Sequence, residues 1–366
     1  MPLALSKIGD MAAATIFLTG FPGFIAGRLV RRLAQDGTHF LLLVQPALAS
    51  LARADIARIA AETGQPKSHF RLLKGDITLP DLGLGAEDLA LVQRETTLLF
   101  HLAALYDLAV PRARAMRVNV EGTKRVNDLA LSLPDLRFYH YISTCYVAGQ
   151  RTGLICESEL RHDAGFRNYY EETKYLAELE VEQLKSQLPI VIHRPSVVCG
   201  DSITGETAKY DGVYYLINFI RMWPALFSLV NIGNSRVSVN LVPVDFIVAA
   251  LAALAQDERA LGHTLQLADP APLTTREIFD VCAQAVAGRK SLAALPMSVS
   301  RRALLLPFTP KLTGLPHDGA PYFFLEQTYD TTIARELLAA HDLTCPRFDS
   351  YANNLVDFVK QHPKLA

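Results

Sequence analysis

Cysteine is scarce, and its few copies show no pattern. Cys145, Cys156, Cys199, Cys282 and Cys345 are scattered with no CxxC spacing. Neither a disulfide frame nor a zinc site is expected, only free thiols in a reducing compartment. An excess of one charge is also missing. Lysine and arginine number 36 against 37 aspartates and glutamates, which argues against the basic surface of a nucleic-acid binder. The ten histidines form no HxH or HExxH spacing, so no metal site is expected. Long apolar runs are absent too. A membrane span needs about 18 apolar residues, and the nearest stretch, "GVYYLINFIRMWPALFSLV" (212 to 230), is interrupted by Arg221 and Pro224. The opening "MPLALSKIGDMAAATIFLTG" lacks the positive-then-apolar order of a secretory signal, being broken by Lys7 and Asp10. With no internal repeat or low-complexity segment, a soluble cytoplasmic protein is the expectation.

What is present is the material of a large core. Half of the 366 residues are hydrophobic and 20% are charged, enough for two intimately packed lobes or one large α/β unit. Short apolar runs at 15–19, 39–45, 70–76, 97–104, 137–144 and 189–196 alternate with amphipathic helical stretches. That alternation predicts an α/β fold, a doubly wound parallel sheet covered on both faces. Ligands of such sheets bind at the carboxyl ends of the strands, which brings Gly20, Gln45, Asp76, Ala103, Thr144 and Pro195 around one crevice. "VNLVPVDFIVAALAALAQ" reads as a further strand–helix return to the sheet. The expected division is a dinucleotide-binding domain at 12–200 and 236–258, and a smaller, discontinuous substrate lobe at 201–235 and 259–366.

"FLTGFPGFIAGRL" follows the first strand and opens a helix, with Gly20, Gly23 and Ala26 in a GxxGxxA frame. Gly20 allows a tight turn, Gly23 allows the backbone to approach a pyrophosphate, and Ala26 is small enough for helix–strand packing. Cofactor contacts are expected from Thr19, Gly20, Phe21, Gly23, Phe24 and Ile25. An acid ending the second strand would bind the ribose of NAD; Gln45 stands there instead, with Arg28, Arg53 and Arg58 as candidates to meet a 2′-phosphate. Arg53 is the preferred one, although each arginine is also compatible with a solvated helix face. NADP(H) is favoured, with NAD(H) left open.

"NYYEETK" (168 to 174) contains the candidate chemistry. Residues four apart share a helix face, so Tyr170 lies above Lys174 while Tyr169 points elsewhere. A tyrosine alone, with a pKa near 10, is poorly matched to proton transfer at neutral pH. A nearby ammonium stabilises its phenolate and brings it toward the working range. The bland alternative is an ordinary solvated helix.

In this order and spacing, "TGFPGFIAG", "KGDIT", "HLAALYDL", "VNVEGTKRV", "ISTCYVAG", "NYYEETKYLAE", "HRPSVVCGDSITGE" and "LVPVDFI" resemble the extended short-chain dehydrogenases/reductases. The closer resemblance is to their fatty acyl-CoA reductase and thioester-reductase branch, the male sterility-like group. The resemblance implies that Thr144 supports the reacting carbonyl, Tyr170 donates the proton, and Lys174 assists it and holds the nicotinamide ribose. It gives Asn119 a structural or relay role. Asp76 and Ile77 would flank the adenine, Leu102, Ala103 and Ala104 would line the dinucleotide, and Pro195 and Val197 would meet its nicotinamide end. Ala26 and Gln45 depart from the commonest family pattern.

The implied reaction is hydride transfer to an apolar carbonyl substrate. A thioester would yield an aldehyde with expulsion of thiol, and a second hydride would yield the alcohol. Such a thioester, bound to CoA or a carrier protein, is expected to arrive from a separate molecule; a homodimer is left open. A sterol- or terpenoid-type hydroxyl dehydrogenase, a nucleotide-sugar epimerase or dehydratase, and a non-catalytic dinucleotide sensor are the competing readings. The intact Thr144, Tyr170 and Lys174 set argues against the sensor, and the apolar segment 212 to 230, an acyl-channel candidate with Tyr214 and Tyr215, argues against the sugar. Ser143 is expected to face away from Thr144, Cys145 to be a buried bystander, and His101 to be structural.

Overall fold

The computed structural model describes residues 14–107, 109–227, 229–294, 322 and 325–365. Residues 12–13, expected in the dinucleotide domain, and 295–321, expected in the second lobe, lie outside them. Six strands fall within the six apolar runs: β1 (Thr15–Thr19), β2 (His39–Val44), β3 (Phe70–Lys74), β4 (Leu98–His101), β5 (Phe138–Ile142) and, after a short β6 (Gly153–Ile155), β7 (Ile190–Pro195). With β11 (Thr264–Leu267) they form one sheet of seven parallel strands, in the order β11-β7-β5-β4-β1-β2-β3. Such strands are apolar on both faces because helices cover both.

Successive side chains of a strand point to opposite faces, and β1 shows the consequence. Ile16 and Leu18 pack beneath α1 (Phe24–Leu33), α2 (Ala49–Thr63) and α9 (Val244–Ala253). Phe17 packs on the other side, beneath α3 (Ala86–Glu95), α5 (Gly122–Leu131) and α6 (Tyr169–Glu182). Each such residue, fully buried, contributes roughly 1.5–3 kcal/mol. The short α4 (Arg112–Ala115) runs through a π-helical turn, Met116–Glu121, into α5.

The return to the sheet differs from the sequence expectation. Within residues 239 to 256, β10 (Leu241–Pro243) pairs with β8 (Val197–Cys199) in a separate two-stranded sheet, while α9 and Val242 of β10 pack into the main core. The seventh strand is β11, placed by the sequence with the second lobe. Its four residues are all buried, but a run this short is not distinguishable from loop by pattern alone.

A second core lies beyond the sheet. Here α7 (Val213–Met222), the one-turn α8 (Pro224–Phe227), α10 (Thr275–Ala287) and α12 (Phe348–Gln361) surround Ile217, Phe279 and Leu355. Two further parallel ribbons join distant segments: β9 (Val230–Asn231) with β12 (Ala293–Ala294), and β6 with β13 (Gln327–Tyr329). Helix α11 (Thr332–Ala339) follows β13, and its first amides are accepted by the carboxylate of Glu157. Among the described residues no helix is long and apolar enough to cross a membrane.

Candidate active site

The chain reverses its direction of sheet growth between β1 and β4, which opens a crevice at their carboxyl ends. Gly20 turns there with φ +93°, and a Cβ on it would lie 2.9 Å from the amide of Ala103. A Cβ on Gly23 would lie 2.7 Å from the Gly20 carbonyl, so neither position accepts a larger residue without a shift. Gly23 begins α1 with no side-chain cap and no acid in the first turn. That leaves a helix N-terminus suited to an anion. Ala26 is buried beneath the helix.

The neighbouring residues divide by direction. Phe21 is buried in the core and Ile25 packs against it. Phe24 has the Arg28 guanidinium 4.8 Å from its ring centre. The Thr19 hydroxyl accepts from the Ala103 amide at 3.2 Å and meets His101 Nδ1 at 2.7 Å. Leu102 and Ala103 are half-buried and Ala104 is exposed. His101 is fully enclosed, its other nitrogen 3.0 Å from Thr123, and burial with the Lys174 charge lowers its pKa to about 3. It is a neutral tie between β1, β4 and α5.

Beyond the carboxyl ends of β2 and β3, Gln45 donates to the Asp76 carboxylate at 3.0 Å. Ile77 is buried against Gly122, where a Cβ would meet it at 2.7 Å. Of the three candidate arginines, Arg28 is held by Asp201 and Glu206, and Arg58 by Asp55 and Glu62. Arg53 bonds Ser50 and makes no ion pair with a described residue.

The catalytic candidates lie where β5 ends and α6 begins. Tyr170 is buried at 7% exposure while Tyr169 is 46% exposed, as the helix period demands. Ser143 donates to the buried Glu178, which also pairs with Arg194, so it faces the sheet interior. Thr144 caps the turn that follows β5, its hydroxyl accepting from the Tyr146 amide at 3.2 Å, and it lies beside Tyr170. Burial raises the Tyr170 pKa, the adjacent Thr144 hydroxyl draws it partly back, and the neighbouring Glu171 charge adds to the rise. Cys145 bonds the Arg194 carbonyl in the interior, and burial pushes its thiol up.

Lys174 sits on the expected face but has unexpected partners. Its ammonium donates to the Tyr141 hydroxyl at 2.9 Å and the Ile142 carbonyl at 2.8 Å. Burial lowers its pKa to about 7, against the raising influence of Glu178. The desolvated ammonium takes the two acceptors that β5 offers it, and Tyr170 answers to burial, Thr144 and Glu171 instead. Asn119 is a clasp in the π-helical turn. Its amide group bonds both backbone groups of Leu105 and the Thr173 hydroxyl on α6, so it ties the post-β4 loop to that helix. Pro195 is buried at the end of β7, and the half-buried Val197 opens β8.

Several neighbours gave no sequence signal. Tyr106 meets Tyr170 edge-to-face at 5.1 Å. Tyr141 lies under Lys174. A small cavity of about 20 Å³ next to Val197 is walled by Tyr146, Ser196, Asn240, Tyr322 and Tyr329. Tyr106, Tyr146 and Ser196 fall within the quoted motifs, but no pattern singled them out. The apolar segment 212 to 230 is chiefly core: Val213, Tyr214, Leu216, Ile217, Ile220 and Phe227 are buried, and the Tyr214 hydroxyl bonds the Gly200 amide. Tyr215 is half-buried.

A seven-stranded parallel sheet, a glycine turn at its switch point and a Thr–Tyr–Lys set at the adjoining strand end define an extended short-chain dehydrogenase/reductase. The chain belongs to the male sterility protein family, whose model matches residues 18–251. It is similar to the fatty acyl-CoA reductase wat of Drosophila melanogaster, at 25% identity over 66% of this chain and 54% of that protein. It is also similar to the aldehyde reductase lnaA of Aspergillus flavus, at 26% identity over 92% of this chain and 35% of that protein. The chain thus spans about half or less of the length of these curated relatives. In fold it resembles the terminal R domain from the myxalamid PKS-NRPS biosynthetic pathway, with a TM-score of 0.79 at 22% identity, covering 96% of this chain and 92% of that one.

Proposed function

We propose that the protein is an NADP(H)-dependent reductase of the carbonyl of an acyl thioester or a long-chain aldehyde. The observation that carries this reading is the buried Tyr170 set beside the Thr144 hydroxyl, where β5 ends and α6 begins. The relatives named fatty acyl-CoA reductase and aldehyde reductase support the substrate class.

A bound nicotinamide dinucleotide supplies the hydride. Gly20, Gly23 and the open first turn of α1 would hold its pyrophosphate, Asp76, Gln45 and Arg53 its adenosine end, and Lys174 its second ribose. Gln45 in place of an acid, and the exposed Arg53, which makes no ion pair with a described residue, favour the 2′-phosphate of NADP(H). Thr144 donates a hydrogen bond to the substrate carbonyl oxygen. Tyr170 delivers its proton to that oxygen as negative charge develops. Lys174, brought to about 7 by burial, changes charge near neutral pH and is suited to assist the tyrosine. With a thioester, one hydride leaves an aldehyde and a free thiol.

The test is NADPH oxidation across acyl-CoAs, aldehydes and UDP-sugars. Turnover of aldehydes or acyl-CoAs is expected. Conversion of a UDP-sugar alone, followed by product analysis because epimerisation consumes no NADPH, would overturn the proposal in favour of an epimerase-type activity.

A further inference from the structure

We infer that Tyr322 is a positioning residue for the Tyr170 acid, locking the first turn of α6 from a distant part of the chain. The inference rests on the reading of Tyr170 as proton donor. Tyr322 stands 151 positions beyond Glu171, yet its hydroxyl donates to the Glu171 carboxylate. The same hydroxyl accepts from the Asn168 amide at 2.8 Å. Asn168 is the N-cap of α6, and its Oδ1 accepts from the Glu171 amide at 3.0 Å.

Glu171 is fully buried beside the acid, and a buried carboxylate is costly unless it is paired and hydrogen-bonded. Here Arg167 supplies the charge at 3.0 Å and Tyr322 supplies a hydroxyl. The Arg167 guanidinium also lies 5.5 Å from the centre of the Tyr322 ring. Helix first turns have no intrahelical partners for their amides and fray unless held. Tyr170 is the second residue of this helix, so whatever holds the first turn sets the position of its hydroxyl.

The Tyr322 ring also touches the substrate side. It packs against Tyr146 at 4.6 Å, and both rings wall the small cavity that includes Val197. One residue therefore joins the wall beside the expected nicotinamide end to the helix that bears the acid. The sequence had no means of showing this, since the pairing spans most of the second half of the chain.

The experiment uses the full chain with Tyr322→Phe and Asn168→Ser, assayed with NADPH and an aldehyde, together with amide hydrogen exchange over residues 168 to 174. Tyr322→Phe keeps the ring and loses the hydroxyl. Asn168→Ser keeps a good N-cap and loses the reach to Tyr322. Both variants are expected to lower kcat about tenfold, with NADPH affinity little changed, because a small misplacement of the acid is felt in the chemical step. Exchange in the first turn of α6 should rise while the sheet stays protected. A kcat equal to wild type in both variants, or unchanged first-turn exchange, overturns the inference. If the wild-type chain reduces no carbonyl, the proposed function fails and first-turn exchange alone decides for or against Tyr322. If Tyr322→Phe does not fold, Asn168→Ser decides.

Discussion

Tyr169 and Tyr170 are adjacent in the chain and opposite in consequence, since one is 46% exposed and the other 7%. Tyr170→Phe should lower turnover by about 10²–10⁴, the usual contribution of a positioned acid, while NADPH binding is retained. Tyr169→Phe should leave turnover close to wild type. A dead Tyr169→Phe enzyme beside an active Tyr170→Phe enzyme would transfer the acid to the other residue. Arg53 makes the second prediction at this scale. Arg53→Ala should weaken NADPH binding by about 1–2 kcal/mol, the range of a charge-assisted hydrogen bond, and leave NADH unaffected. Equal losses for both cofactors in a titration would remove Arg53 from the phosphate site. The split between Tyr169 and Tyr170 was readable from helix periodicity, whereas strand alternation separated Ser143 from Thr144 and the resemblance of the "STCYV" motif chose Thr144. The partners of Lys174 were not readable, because the contact with Tyr141 depends on how α6 is set against β5.

Among the elements, β5 and β7 contain a buried pair whose protonation bears on stability. His140 Nδ1 lies 3.0 Å from His193 Nε2, and His140 Nε2 lies 3.0 Å from the Ala255 carbonyl. Burial lowers the His140 pKa to about 4 and that of His193 well below its ordinary value. An unfolded histidine titrates near 6.5, so below that pH the unfolded chain binds more protons than the folded one. The stability contributed by neutral burial is therefore complete above about 6.5 and is lost as the pH falls toward the folded values. For His140 alone the loss at pH 5 is about 2 kcal/mol by linkage. Urea unfolding at pH 7 and pH 5 should show the fall, and His140→Gln should reduce it. An equal fall in that variant would assign the acid sensitivity to other groups. The strands themselves were evident from their apolar runs, whereas this pairing depends on the register between β5 and β7.

For the whole molecule, the question is what the second core does. The segment 212 to 230 looked suited to an acyl chain because it is apolar and aromatic. Folding buries one face of α7 against α10 and α12, while Met222, Trp223 and Leu229 stay exposed. Ile217→Ala should cost about 2–5 kcal/mol of stability, as buried aliphatic truncations do. The ratio of activity toward long and short aldehydes should stay unchanged. A selective loss with long substrates, in a variant of unchanged stability, would return this segment to the substrate site. The seventh strand was misplaced for a related reason. Its four residues, Thr264–Leu267, belong to the sheet only because β7 offers an open edge to pair with.

By itself the sequence determined the doubly wound class, the glycine turn and the inward face of α6, because each depends on short-range spacing and on which side chains avoid water. The order of glycines after a first strand, and a tyrosine four residues before a lysine, need no knowledge of the rest of the chain. Tertiary structure alone decided that Lys174 bonds Tyr141 and Ile142, that Asn119 ties a loop to α6, and that Tyr322 returns to the first turn of α6. Those contacts join residues far apart in the chain, and hydrogen bonds between such residues form only after packing has placed them within about 3 Å of each other.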